Sequence, residues 1–248
     1  MRGMRGVISW NGSRSDQFGI GIEKYPVYTK PKRKIETYEI PGRNGDIVIA
    51  QDAWENVEQE YEIFAGDGVR ASVPGYFQSI AEWLCAPKGY CELWDDFDPM
   101  HFRMAYFEGP FDIDSVGAGN VGRAKITFNC KPQRYLIEGK TGVEITAATT
   151  IYNYTMYASR PLVFVERSAA GNGTVSVNGT VFTITGIPAS GLYIDCEEMN
   201  CYDTNGTNQN SIVASSTSEF ATLRPGENNI GLTGNVSKVT ITPRWFEI

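Results

Sequence analysis

Between Val121 and Cys130 the chain alternates without a slip, with Arg123, Lys125, Thr127 and Asn129 on one side and Ala124, Ile126, Phe128 and Cys130 on the other. Successive side chains of a strand point to opposite faces, so a period of two predicts a half-buried strand in an antiparallel sheet. The same period returns in Ile35 to Ile40, Val57 to Phe64 and Val236 to Thr242, and Gly, Pro and Asn turn signals separate the runs. A chain patterned this way must fold mainly as β. One helix is expected, from about Tyr76 to Ala86, with Phe77, Ile80, Ala81 and Leu84 on its apolar stripe and Trp83 at the stripe's edge. Pro87 and Gly89 stop it, and at about three turns it has to pack on a sheet to persist.

The order of elements divides the chain. Val7 to Trp10 leads into an Asn11-Gly12 turn, and Phe18 to Ile22 forms a short strand. Tyr90 to Trp94 pairs with Phe102 to Phe107 across Asp95-Asp96-Phe97-Asp98. Pro132 is expected to break the ladder after Cys130, because proline donates no backbone hydrogen bond. Residues 1–137 therefore read as one domain, sandwich-like with one helix and a hairpin. The stretch 138–150, rich in Thr and Ala, reads as a linker. Residues 151–248 then show short strands at the rhythm of a β-sandwich, including a hairpin on Asn178-Gly179 and strands at Gly191 to Cys196 and Val236 to Thr242.

Composition removes several classes of function. Formal net charge is −7, with −3 in residues 1–137 and −4 in residues 138–248, so neither part has the basic excess that phosphate neutralisation demands. The basic run Lys30 to Lys34 is short and reads as a solvated strand entry. No stretch approaches the ~18 consecutive apolar residues of a membrane span, and Met1 to Gly6 lacks the apolar core of a signal peptide. The five cysteines, Cys85, Cys91, Cys130, Cys196 and Cys201, form no Cys-x-x-Cys pair, which argues against structural zinc and for reduced thiols. Four of the six Asn-x-Ser/Thr sites are Asn-Gly pairs, better explained by turns than by glycosylation.

Catalytic chemistry has little support. His101, the single histidine, is expected to be hydrogen-bonded within a strand. Asp95, Asp96 and Asp98 offer hard-cation ligands without EF-hand spacing. Glu197, Glu198 and Asp203 offer carboxylates of the glycosidase type. Gly117 to Gly122 spells G-x-G-x-x-G but precedes a strand, the wrong context for a dinucleotide site. No cofactor and no metal site is expected. The most informative local feature is a corner, Ile40-Pro41-Gly42-Arg43-Asn44-Gly45-Asp46-Ile47. Pro41-Gly42 suits a type II turn, Asn44-Gly45 suits a type I′ turn, and Arg43 places a permanent charge between them.

Taken in order, Ile8-Ser9-Trp10-Asn11-Gly12, Asp16-Gln17-Phe18-Gly19, the corner Pro41 to Asp46, the helix with Trp83-Leu84 and Phe128-Asn129-Cys130-Lys131-Pro132-Gln133-Arg134-Tyr135 resemble the distal tail protein family of siphophages over roughly residues 1–137. Tyr193-Ile194-Asp195, Pro225-Gly226-Glu227-Asn228 and Val239 to Trp245 are similar to the second domain of longer members. That resemblance implies a galectin-like C-terminal β-sandwich and a non-enzymatic virion protein of the tail tip, made in the host cytoplasm. It implies a homo-hexameric ring between the tail tube protein and the tail-associated tip protein, a baseplate hub that carries host-adhesion parts and passes DNA through its channel without membrane insertion. Pro41, Gly42, Arg43, Asn44, Gly45 and Asp46 then take a turn or ring-contact role, and the edge of Val57 to Phe64 is a second candidate contact. An alternative is a carbohydrate-binding module, with Tyr202 and Trp245 as contacts to a cell-surface glycan or a receptor-binding protein. A third reading is a hydrolase using Glu197 and Glu198.

Overall fold

The computed structural model describes residues 6–66, 73–116 and 121–248, with side chains at 73–76 and 115–116 not described. It is mainly β. In chain order the elements are β1 (Ile8–Trp10), β2 (Ser13–Arg14), β3 (Ile20–Ile22), β4 (Arg33–Tyr38), β5 (Ile47–Trp54), β6 (Val57–Ala65), α1 (Val73–Cys85), β7 (Cys91–Asp95), β8 (His101–Phe107), β9 (Ile113–Val116) and β10 (Val121–Leu136). There follow β11 (Val143–Ile145), β12 (Thr149–Asn153), β13 (Leu162–Arg167), β14 (Gly173–Val177), β15 (Thr180–Ile184), β16 (Leu192–Asp195), β17 (Asn200–Asp203), β18 (Val213–Ser215), β19 (Gly226–Gly234), β20 (Val236–Thr242) and β21 (Phe246–Glu247). Two compact units result, one running to Arg134 with Ile248, the other Tyr135–Glu247.

In the first unit the main sheet has the order β2-β1-β7-β8-β10-β6-β3, with β9 also on β10. The alternation that predicted β10 puts Ile126, Phe128 and Cys130 fully inside. Trp10 meets Phe128 at 4.9 Å between ring centroids, and Tyr61 meets it edge-on at 6.2 Å. The helix covers this core with Ile80, Trp83 and Leu84. Trp83 is thus core, stacked on Phe18 at 5.2 Å, whereas Phe77 is exposed and touches Phe111. The buried stripe is thus rotated from the one expected, toward Trp83 and away from Phe77, and α1 begins at Val73, before Tyr76. Pro132 does not end β10, which continues to Leu136; pairing with β6 stops at Cys130, so proline's missing donor costs that ladder nothing.

The second unit is a β-sandwich of two five-stranded sheets, β11-β20-β13-β16-β17 and β12-β19-β14-β15-β18. Their inner faces share one core, with Val163, Val165, Ile194, Val239 and Ile241 from one sheet and Val175, Val177, Phe182, Ile184 and Ile230 from the other. Residues 138–150, expected as a linker, hold a 3-10 turn at Glu138–Lys140 and β11, which adds to β20.

The hairpin turns follow from residue chemistry. Asn11-Gly12 (φ 49° and 78°) and Asn178-Gly179 (φ 50° and 88°) have positive φ at both positions, as a type I′ turn requires. A Cβ at Gly179 would meet open space, so the cost of Gly179→Ala is the backbone strain of a β-carbon at φ 88°. We expect it to destabilise the second unit by about 1 kcal/mol, read as a lower urea midpoint with unchanged slope.

Candidate functional site

The β4–β5 hairpin forms a sheet of its own. Its register pairs Ile35 with Ala50, Glu36 with Ile49, Thr37 with Val48 and Tyr38 with Ile47. One face therefore carries Ile35 and Val48, and the other carries Tyr38, Ile47 and Ile49. All five are between 39% and 59% exposed. Half-burial was the expectation from alternation; here neither face is covered. At the tip, Arg43 N–H donates to Ile40 O at 3.1 Å, and Gly42 has φ 82°, which closes a turn around Pro41-Gly42 as the sequence predicts. Gly45 takes φ 80°, but Asn44 is not among the non-glycine residues of positive φ, so the expected type I′ turn does not form. The loop from Glu39 to Asp46 is longer than the two residues such a turn spans. Pro41, Gly42, Arg43, Asn44, Gly45 and Asp46 stand together as the exposed tip of this arm.

The segment leading into the arm is tied to the body. Tyr25 packs on Phe97 at 4.3 Å. The Tyr28 hydroxyl donates to Asp95 Oδ1 at 2.7 Å, and the Gln59 amide donates to Val27 O at 3.3 Å. Buried Asp95 also accepts from the Tyr61 hydroxyl at 2.7 Å and from the backbone N–H of Phe97 and Asp98. Burial and the Asp95 carboxylate raise the Tyr61 and Tyr28 hydroxyls well above their ordinary range, so both stay donors. Strand β6 is not open along its length: β10 flanks one side and β3 covers Ile63–Ala65 on the other. Beside its first half lies an open groove of about 530 Å³, lined by Val27, Thr29, Lys30 and Lys32 on one side and Val57, Glu58 and Glu60 on the other.

The acidic connection is a structural node. Asp98 accepts from Arg134 Nη2 and lies 2.7 Å from His101 Nδ1, itself 3.2 Å from Arg134 Nη2. Burial pushes the Asp98 carboxyl up, but Arg134 and His101 outweigh it and hold it below the usual range. Among the described residues no group of His, Cys, Asp and Glu has a geometry that holds a metal ion. The sequence missed these partners because Tyr28, Tyr61 and Arg134 reach the node from distant segments of the chain. The visible signal was an Asp ending a strand and followed by a turn.

The second unit repeats this device at Asp195. Its Oδ1 accepts from the Glu197 and Glu198 N–H, and Arg244 donates to both oxygens, at 2.7 and 2.8 Å. Burial raises the Asp195 carboxyl, and the guanidinium and backbone donors overcome that and depress it. Glu197 sits 3.7 Å from the same arginine. Asp203 caps its loop, accepting from Asn205 and Thr207 N–H at 2.9 Å. Tyr202 lies in a cross-strand ladder, stacked on Tyr193 at 5.3 Å, which is tilted on Phe164 at 4.5 Å. Trp245 is only 7% exposed and packs edge-on against Tyr154. The two belong to different aromatic groups.

All five cysteines are free thiols. Burial pushes Cys130 and Cys196 up to about 12 and Cys201 up to about 11. At pH 8 we expect iodoacetamide to label exposed Cys85 rapidly and these three only after unfolding, read by intact and peptide mass. Residues 117–120 of the G-x-G-x-x-G match and residues 1–5 lie outside the described residues. No described helix is long and apolar enough to cross a membrane.

No protein-family model and no curated protein matches the sequence. Solved structures do. The chain superposes on the SPP1 Dit protein, a paradigm of the hub adsorption apparatus in phages that infect Gram-positive bacteria, with a TM-score of 0.72 and 14% identity, over 95% of this chain and 98% of that one. It also matches a chain of the phage P2 baseplate in its activated conformation with Ca, with a TM-score of 0.58 and 10% identity over 96% and 97% of the two chains. The same baseplate with Sr gives 0.58 and 10% over 96% of each. Across nearly its full length, the chain has the fold of the phage Dit hub and of this baseplate chain.

Proposed function

We propose that the protein is the distal tail protein of a siphophage or prophage, a non-enzymatic structural hub of the tail tip. Six copies close into a ring that joins the tail tube protein to the tail-associated tip protein. The C-terminal sandwich, galectin-like in this reading, carries the host-adhesion parts. The β4–β5 arm is the observation that supports the ring most strongly. A two-stranded hairpin is marginal alone in water, and this one offers apolar side chains to solvent on both faces. Such an arm suits a place between neighbouring copies. A contact that joins an arm of one copy to a different surface of the next is heterologous, and rotation closes it into a ring. The exposed tip Pro41 to Asp46 is the ring-contact motif in this reading. The acidic chain suits a conduit, because a channel lined with phosphate-binding cations would retain passing DNA.

Electron cryo-microscopy of the purified protein tests this. Six-fold rings with a central channel and the arm at each subunit boundary are the expected images. Open chains of copies, or particles in which the arm lies away from every boundary, would contradict it.

A further inference from the structure

We propose that the outward face of the sheet β12-β19-β14-β15-β18, with Tyr152 and Tyr154 at its β12 edge, binds a neutral polysaccharide. Tyr152, Tyr154 and Met156 project from one short stretch, and Tyr154 and Met156 are 78% and 88% exposed. The two tyrosine rings sit 4.7 Å apart at 49°. Their backbone is locked from beneath. Buried Asn153 donates to Tyr157 O at 3.0 Å and Leu223 O at 3.2 Å, and accepts from the Thr155 N–H and hydroxyl. Buried Ser159 donates to Pro243 O at 2.7 Å. The rings are therefore presented at little further cost in ordering.

From these rings the five strands of the sheet continue without a Lys or Arg. The register turns Thr150 and Asn229 outward together, then Thr174 with Thr233, with Ser176 opposite Gly231 and Thr183 beside Thr174. Thr150 donates to Asn229 at 2.9 Å, and the Thr174 and Thr233 hydroxyls meet at 2.6 Å. Glu227, opposite Tyr152, is the one ionised group turned outward in these ladders. The other sheet differs: its outward side bears Glu144, Lys238 and Glu166 in ion pairs and the Phe164–Tyr193–Tyr202 ladder. There Tyr193 stacks on one ring face of Tyr202.

Charge selects the occupant. A phosphate- or carboxylate-bearing polymer would find no cation in the five strands of this sheet, the exposed Arg224 lying before β19, and one carboxylate repelling it. A neutral sugar matches what is present. Its axial C–H groups pack on tyrosine rings, and its hydroxyls exchange hydrogen bonds with serine, threonine and asparagine, which both donate and accept. This deepens the adhesion part of the proposed function and rests on that reading for its setting. Binding is read on chains of any mass, so failure of the ring and failure of this face are separate results.

The test is binding of the full chain to immobilised dextran, amylose and laminarin, with heparin and polygalacturonate as anionic probes. At least one neutral polymer should bind. Tyr152→Ala with Tyr154→Ala, and separately Ser176→Arg, should each weaken it about tenfold or more, and Tyr202→Ala on the opposite sheet should leave it unchanged. Unchanged thermal melting of each variant separates lost contact from lost fold. Binding to no neutral polymer, preference for the anionic probes, or binding that survives both face variants would overturn the proposal.

Discussion

Val48→Asp combined with Ile49→Asp is expected to turn the proposed six-fold assembly into single chains at micromolar concentration. The two residues lie on opposite faces of the arm, so the pair cuts apolar surface from both and puts a charge on each. Each side chain loses about 1.5–3 kcal/mol of burial in the assembly, and each new carboxylate would be desolvated without a partner. Every boundary of a closed ring carries the same lesion, so the losses multiply around it. The isolated chain should be indifferent, because both side chains are already exposed in it and surface changes of this kind stay within about 0.5 kcal/mol. Sedimentation velocity should therefore show the mass falling while the melting temperature holds. Retention of the six-fold mass would remove the arm from the ring contact.

The largest effect on the second unit is expected at Arg244. Its guanidinium is bidentate to an Asp195 side chain that is almost fully buried. Arg244→Ala leaves that carboxylate with backbone donors only, a loss of about 3 kcal/mol. Arg244→Lys should recover part of it, since a single ammonium cannot reproduce the fork. Acid supplies an independent reading. The folded Asp195 carboxyl titrates below the ordinary value of 3.8, so its contribution is fully present above that value and is lost as pH falls through the folded one. The gap between wild type and Arg244→Ala in urea should thus narrow below about pH 4. A gap that stays constant from pH 7 to pH 3 would show that the ion pair is not its source.

The positions of most strands, and two of the Asn-Gly turns, were legible in the residues. The period of two located β10 and chose its buried face, and Asn-Gly at 11–12 and 178–179 marked the turns that formed. Asn44-Gly45 misled because a turn type depends on loop length, and the loop from Glu39 to Asp46 is too long for a two-residue turn. Alternation in Ile35 to Ile40 predicted a buried face, yet periodicity says nothing about what covers it. On the proposed reading the cover is another copy, which no single chain contains. The edge expected at Val57 to Phe64 is partly filled by β3, a pairing set by topology. The nodes at Asp95 and Asp195 were hidden for a similar reason: their partners lie up to 67 residues away, as Tyr28 does from Asp95. Trp245, read as a contact platform, is largely covered, and the exposed rings of the second unit are Tyr152 and Tyr154.

The central claim is the ring. Light scattering on the purified protein over a wide range of concentrations tests it most directly. The account predicts six times the 27.5 kDa of one chain, or stacks of that unit. A mass of one chain at every concentration, or a stable assembly that is not a multiple of six, would contradict it.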